Sequence, residues 1–343
     1  MFQTIRTAVV TAGLLCAATG AMAVEEVNLY SYRQPFLIKP LLEKFTAESG
    51  IKVNVVFAKK GMVEKIKAAG NNNPADAVLT TDVGRLDALA QAGLLEPVRS
   101  KVLEANVPAH LRHSDGLWFG LTTRARVALV SKERVVPGEL ATLADLAKPR
   151  FKGRVCTRSG KHVYNVGLIA SVIVNDGAEY AEQWLHGVKA NLARKPHGND
   201  RAQAKGIYQG ACDVAIVNQY YMGLMATNEK KPEQKKWAEA VHVVYFDQDG
   251  RGQHVNVSGA AVINTSKRKA NAVALLEYLV SESAQSAYAQ DNFEYPVRKG
   301  VALHPLLSSW GTLKTDTVSL QAVARARTQA SKLVDKVGFN AGN

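Results

Sequence analysis

Asp213-Val214-Ala215-Ile216-Val217-Asn218-Gln219-Tyr220-Tyr221-Met222-Gly223 is the stretch on which the fold class turns. The short apolar run from Asp213 to Val217 reads as a buried β-strand. Leu224-Met225-Ala226, just beyond, opens a helix. Two phenols therefore lie side by side where a strand ends and the chain turns. In α/β proteins the turns after the strands' carboxyl ends form the ligand crevice. A phenol is a poor ligand while protonated, with a reference pKa of about 10. As phenolate it is a hard oxygen donor, suited to a hard, highly charged cation such as Fe(III). Amphipathic packing is the other reading of Tyr220 and Tyr221, and the pair taken alone fits packing better.

Upstream, strands and helices alternate. Val27 to Tyr32 reads as a first strand, and Ile38, Leu41, Leu42 and Phe45 recur at helical spacing before Gly50. Ile51 to Ala58 and Ala77-Val78-Leu79 are further strands, each followed by helical signals. This rhythm predicts an α/β chain with a mostly parallel sheet. Trp118 to Lys132 is a long extended segment that suits a crossing between domains, and Val241 to Phe246 is the candidate for the return. Pro137 to Lys148 carries helix signals, with Thr142 as cap. Gly153 to Thr157 starts a second α/β unit, and Tyr164-Asn165 opens the helix after it. Tyr164 thus occupies the same kind of place as Tyr220 and Tyr221, past a strand and at a helix start. A helix N-terminus favours the anionic form of a nearby group. Ala270 to Ala287 reads as one or two helices, and Leu320 to Val334 as a closing surface helix.

Length and composition set the bounds. Met1 to Ala23 reads as a secretory leader, with Arg6 before an apolar run and Ala21-Met22-Ala23 as the cleavage pattern. The run is too short for a permanent membrane helix. About 320 residues remain, more than one core usually serves, so two domains are expected. The net charge of +13 falls to +12 without Arg6. That excess reads as a solvated basic surface, because the lysines are scattered and not interleaved with aromatics. Nucleic-acid binding also fits poorly with export. Cys156 and Cys212 remain, and an even count in an oxidising compartment permits a disulfide.

Catalytic motifs are missing. Gly250-x-Gly252 is no dinucleotide fingerprint, Gly160-Lys161 is no P-loop, and no zincin histidine pair or nucleophile elbow is present. His162 and His197 read as surface or supporting groups. The expectation is a binding protein and not an enzyme.

Longer stretches point further. They are 74–82 (PADAVLTTD), 120–127 (GLTTRARV), 193–201 (ARKPHGNDR), 212–221 (CDVAIVNQYY) and 249–259 (DGRGQHVNVSG). Taken with Tyr164, Tyr220 and Tyr221, they resemble the periplasmic ferric-iron-binding proteins. These are the solute receptors of iron ABC importers, within the bilobal periplasmic binding protein superfamily. The resemblance covers nearly all of the mature chain. It implies a type II two-lobed α/β fold with two crossing hinge strands and a ligand cleft between the lobes. The expected lobes are 24–122 with about 247–290, and 123–246 with about 291–343. It further implies a periplasmic monomer that hands ferric iron, free or chelated, to an ABC permease in the inner membrane.

The resemblance implies Tyr164, Tyr220 and Tyr221 as the iron ligands from the second lobe. Relatives often add a His-Tyr pair after the first strand's Ser-Arg, where this chain has Gln34 and Pro35 after Arg33. Proline cannot coordinate, so any first-lobe contact falls to Gln34 or to nearby Tyr32. Three phenolates neutralise Fe(III) and leave coordination positions open. A small anion such as carbonate fits there, gripped by Arg124 or Arg33 through the bidentate guanidinium fork. Arg126 suits an ion pair equally well. A second reading keeps the fold and changes the ligand to a polyamine or a phosphate- or carboxylate-bearing solute.

Overall fold

The first strand β1 (Glu26–Ser31) is flanked by two parallel partners, β2 (Lys52–Phe57) and β3 (Ala77–Thr80). The computed structural model describes residues 25–58 and 61–342, and the expected leader lies outside them. Between these strands run α1 (Pro35–Ser49) and α2 (Met62–Ala69), and α3 (Val83–Gln91) follows β3. Ile38, Leu41, Leu42 and Phe45 of α1 are buried, the stripe expected from their spacing. Gly50 closes that helix with φ 74°, a left-handed turn that favours glycine.

After α4 (Lys101–Asn106) comes β4 (Phe119–Ser131), and all 13 of its residues are buried. This is the long strand read from the sequence. Beyond it lie β5 (Val155–Cys156), α5 (Val163–Asp176), α6 (Ala178–Ala190), α7 (Asp200–Tyr208) and β6 (Val214–Asn218). Next are α8 (Tyr220–Ala226), α9 (Glu233–Glu239), β7 (Val241–Val244) and β8 (Val255–Val262). The chain ends with α10 (Lys269–Leu279), α11 (Glu282–Asn292), β9 (Tyr295–Pro296), α12 (Pro305–Ser309) and α13 (Leu320–Lys336).

The strand order is β2-β1-β3-β8-β4-β6-β5, with β7 and β9 also on β4. The two ends of β4 serve different halves. Phe119 to Ala125 pairs with β8, which in turn pairs with β3. Arg126 to Val130 pairs with β6, and Ala128 to Ser131 with β7. The sheet is therefore mixed and not mostly parallel. β1, β2 and β3 run in parallel, as do β5 and β6, but between them β8 is antiparallel to β3 and to β4, and β4 is antiparallel to β6. The return crossing also differs from expectation. β7 stays beside the far end of β4, and the chain comes back through 247–254 into β8. A third passage follows at β9, which pairs with Thr122 and Thr123.

Two local expectations are corrected. The segment capped by Thr142 is a 3-10 turn, Leu143–Ala147, with Thr142 and Asp145 forming a reciprocal capping box. The closing helix α13 is not simply a surface element. Leu320, Val323, Ala330 and Val334 are buried, and it packs against both α5 and α3. Arg327 on α13 reaches Asp82 just before α3, at 3.3 Å. Cys156 and Cys212 are joined by a disulfide with Cα atoms 5.9 Å apart, tying β5 to the residue two before β6.

Candidate metal-binding cavity

Three tyrosines meet because their helix starts are fixed in place. His162 caps α5 through Nδ1, which accepts the Tyr164 N–H at 3.2 Å, so Tyr164 sits in the first turn. Tyr220 and Tyr221 open α8 directly after β6. The residue before them, Gln219, is fully buried and acts as a clamp. Its Oε1 accepts the Ala125 N–H of β4 at 2.9 Å, and its Nε2 donates to the Phe293 carbonyl at 2.9 Å. Gly223, one turn into α8, lets the helix lie against Phe293. A Cβ there would fall 2.3 Å from the Phe293 ring.

The result is a cavity of about 470 Å³ whose wall includes Tyr32, Arg33, Gln34, Arg124, Tyr164, Arg201, Tyr220, Tyr221 and Glu294. The Tyr164 and Tyr220 hydroxyl oxygens are 3.3 Å apart. The Tyr220 and Tyr221 rings lie 4.3 Å apart between centroids. Residues 56 positions apart along the chain thus present their oxygens at one point. Burial pushes the Tyr220 phenol well above its ordinary pKa, and Tyr164 and Tyr221 add to the shift, while Arg124 opposes it. Tyr221 is raised for the same first reason, with Tyr164 and Asp200 adding. Without a cation both phenols keep their protons at neutral pH. Among the described residues no cluster of three or more His, Cys, Asp or Glu offers another metal site. A hard trivalent ion is the partner that this oxygen donor set fits.

The arginines divide by what they already hold. Arg33 is buried, donates to Ser258 Oγ at 2.8 Å and pairs with Glu294. Arg124 donates to Ser258 Oγ at 3.2 Å, to the Val257 carbonyl at 2.7 Å and to the Thr81 carbonyl, with Glu294 at 4.0 Å. Arg126 is bound to Asp200 at 2.7 Å, both fully buried, so it serves the ion pair that the sequence left open. Asp200 also takes Arg158 at 3.0 Å and the Asn218 N–H at 2.9 Å. This pins the start of α7 beside the strand end that carries the tyrosines.

The first-strand candidates lie at the edge. Tyr32 lines the cavity, but its hydroxyl accepts the Met62 N–H at 3.2 Å, and Arg85 sits 4.2 Å from its ring centre. Gln34 lines the wall as the residue before α1, with no side-chain capping bond. His162 meets Tyr164 edge to face, with ring centres 4.5 Å apart; burial and then Arg158 and Arg126 lower its pKa to about 4. His197 is exposed. Sequence reading passed over Glu294, which nothing in its neighbourhood marks, and Arg201, which stood unremarked at the end of 193–201.

A second cavity of about 500 Å³ is lined by Thr123, Val255 and Tyr295. Thr123 and Arg124 are neighbours on β4 and face opposite sides of it. That cavity's wall has His110 as its one ionisable group besides Tyr295, so the chemistry lies on the tyrosine side.

Two α/β halves joined by crossing strands, with polar side chains from both in the wall of a cavity, define a solute receptor of the two-lobed type. Residues 41–315 match the bacterial extracellular solute-binding proteins, and the chain belongs to that family. Iron uptake protein A1 of Synechocystis is 46% identical over 316 residues, covering 92% of this chain and 88% of its own. A Bordetella ferric binding protein superposes with a TM-score of 0.87 at 49% identity, covering 92% of this chain and 100% of that one. A Trichodesmium protein solved in complex with iron and citrate ligands gives 0.88 at 40% identity, covering 92% and 99%. The two-lobed fold and the resemblance to the ferric-iron-binding branch of the family are both borne out.

Proposed function

We propose that this chain is a periplasmic receptor that takes up ferric iron through the phenolates of Tyr164, Tyr220 and Tyr221. The observation that carries the reading is the meeting of the Tyr164 and Tyr220 hydroxyls at 3.3 Å in a cavity they share with Tyr221. Names of iron uptake and ferric binding among the relatives support it. Iron displaces the phenol protons on binding, and the lobes close about the hinge and exclude water. The proposed lobes are 24–122 with about 247–290, and 123–246 with about 291–343. A small oxyanion, carbonate being the simplest, completes the coordination sphere, with Arg33 and Arg124 supplying positive potential. Gln34 and Tyr32 are the residues that a first-lobe contact would use.

The protein acts by binding and not by turnover. A monomer behind a cleaved leader, it passes iron in its closed form to an ABC permease. The disulfide between Cys156 and Cys212 suits the oxidising periplasm. Ferric salt added to the pure protein is expected to produce a visible tyrosinate absorption that saturates at one iron per chain. A protein that stays colourless while binding an organic anion or a polyamine would replace this reading with the solute-receptor one.

A further inference from the structure

The cavity of about 500 Å³ on the far side of β4 shares no residue with the tyrosine site. All three passages between the halves line it, through Thr123 of β4, Val255 of β8 and Tyr295 of β9. The rest of its wall comes from two distant segments, 108–111 and 303–315. Each is tied to a crossing passage. Next to Leu111, Arg112 bridges to Phe119 at the start of β4. Next to Leu313, the Lys314 carbonyl accepts the Gln253 N–H at 2.9 Å. The first segment falls in one proposed lobe and the second in the other, so the cavity lies behind the hinge.

The wall indicates what fits. Thr123 is only 4% exposed, and among the described residues its hydroxyl has no hydrogen-bond partner. A buried hydroxyl left unpaired costs free energy until something meets it. Side chains alternate along a strand, so this hydroxyl points away from Arg124 and the tyrosines, into the rear cavity. Charge is missing there: the wall has no Lys, Arg, Asp or Glu, in a chain with a net charge of +13. Burial lowers the pKa of His110, with Asp316 opposing, so its ring is neutral at pH 7. The Tyr295 hydroxyl is spent on Tyr245 at 2.6 Å, which leaves its ring for contact. Ser308 and Thr312 are exposed, and water serves their hydroxyls. An uncharged wall of this size around one open, buried hydroxyl suits a small neutral molecule with an apolar body and one hydrogen-bonding group.

We infer that the rear cavity is a second binding site, which takes a small neutral amphiphile on the Thr123 hydroxyl and, when filled, holds the lobes toward their closed form. The two cavities lie on opposite faces of the same crossing strands. Bending those strands to open the iron cleft narrows the space behind them, and an occupant resists that narrowing. Iron and the rear ligand therefore raise each other's affinity by the same factor. The coupling rests on the proposed lobes and their closure; the site itself does not.

Benzyl alcohol is the probe, and benzylammonium is its charged counterpart of similar shape. Each is titrated into the iron-free protein and followed by two-dimensional NMR. Benzyl alcohol is expected to shift the resonances of Thr123, Val255 and Tyr295, and benzylammonium to leave them in place. Thr123→Val keeps the shape without the hydroxyl and is expected to bind benzyl alcohol about fivefold more weakly, the worth of one neutral hydrogen bond. Thr123→Ser keeps the hydroxyl and with it most of the affinity. No shift at those residues in wild type, equal binding of the two probes, or undiminished binding by Thr123→Val overturns the site. Ferric titrations with and without saturating benzyl alcohol read the coupling, and the alcohol is expected to lower half-saturation about fivefold. An unchanged half-saturation overturns the coupling. A protein that takes up no iron in either titration overturns the tyrosine reading, and the iron-free titrations still decide the rear site.

Discussion

Tyr220 keeps its proton because the cavity removes it from water and sets two other phenols beside it. Under the proposed phenolate ligation Fe(III) displaces that proton and those of its neighbours, so binding and proton release are one event. Each proton released weakens apparent affinity by about tenfold for every pH unit of acidification. Iron affinity is therefore expected to fall steeply from pH 8 to pH 6 at fixed chelator, with about three protons released per iron in a weakly buffered titration. An affinity independent of pH across that range would contradict phenolate ligation. The phenols were legible in the sequence because strand end and helix start can both be read from apolar patterning. Their convergence was not, since it depends on β5 and β6 pairing in parallel across residues 155–215. Glu294 gave no signal at all. It follows Phe293, which holds a left-handed backbone at φ 54°, and only the tertiary fold brings it to Arg33.

Among the elements, α8 and β4 carry the site, and what fixes them lies mostly outside both. Gln219 ties the start of α8 to β4 and to Phe293, and Glu294 ties β4 to the turn after β1. Thr122 of β4 donates to the same Glu294 oxygen that Arg33 holds. Glu294→Gln would leave Arg33 and Arg124 buried without their counter-charge. Breaking one side of a buried pair typically costs about 3–5 kcal/mol. The expected result is a lower midpoint in urea denaturation of the iron-free protein, with the slope unchanged. A midpoint equal to wild type would show that Ser258 and the backbone carbonyls suffice to hold the two arginines. At this scale the sequence was read well for α1 and β4, whose periodicity and length are local properties. It failed for β7 as the return crossing, because a four-residue strand does not reveal its partner. The 3-10 turn at Leu143–Ala147 was taken for helix because Thr142 and Asp145 make the same capping box in either structure.

At the scale of the molecule, three passages of the chain join the halves, and α13 packs against both through α5 and α3. Arg327 of that helix reaches Asp82, whose carboxylate also accepts Asn256 Nδ2 at 2.8 Å. Next to these, His254 is buried, and burial followed by Arg126 and Arg327 lowers its pKa to about 3. His162 is lowered to about 4. In the unfolded chain both titrate near 6.5, so the unfolded state takes their protons first as pH falls. Their contribution to stability is complete above about pH 6.5 and is lost as pH drops toward 4 and then 3. The melting temperature of the iron-free protein is expected to decline from pH 7 to pH 4; a constant or rising one would mean that these histidines do not govern acid stability. The closing helix was read as a surface element because half of its residues are polar, and amphipathic patterning does not say how many neighbours the apolar half meets.

The central claim is that three phenol oxygens close on one trivalent cation. Ferric titration watched by visible absorption on wild type, Tyr164→Phe, Tyr220→Phe and Tyr221→Phe tests it most directly. Each variant loses one oxygen and keeps its ring, so packing is spared. The prediction is that wild type saturates at one iron per chain, that each variant shows weaker colour, and that each binds at least tenfold less tightly. Full colour and affinity in all three variants would contradict the account.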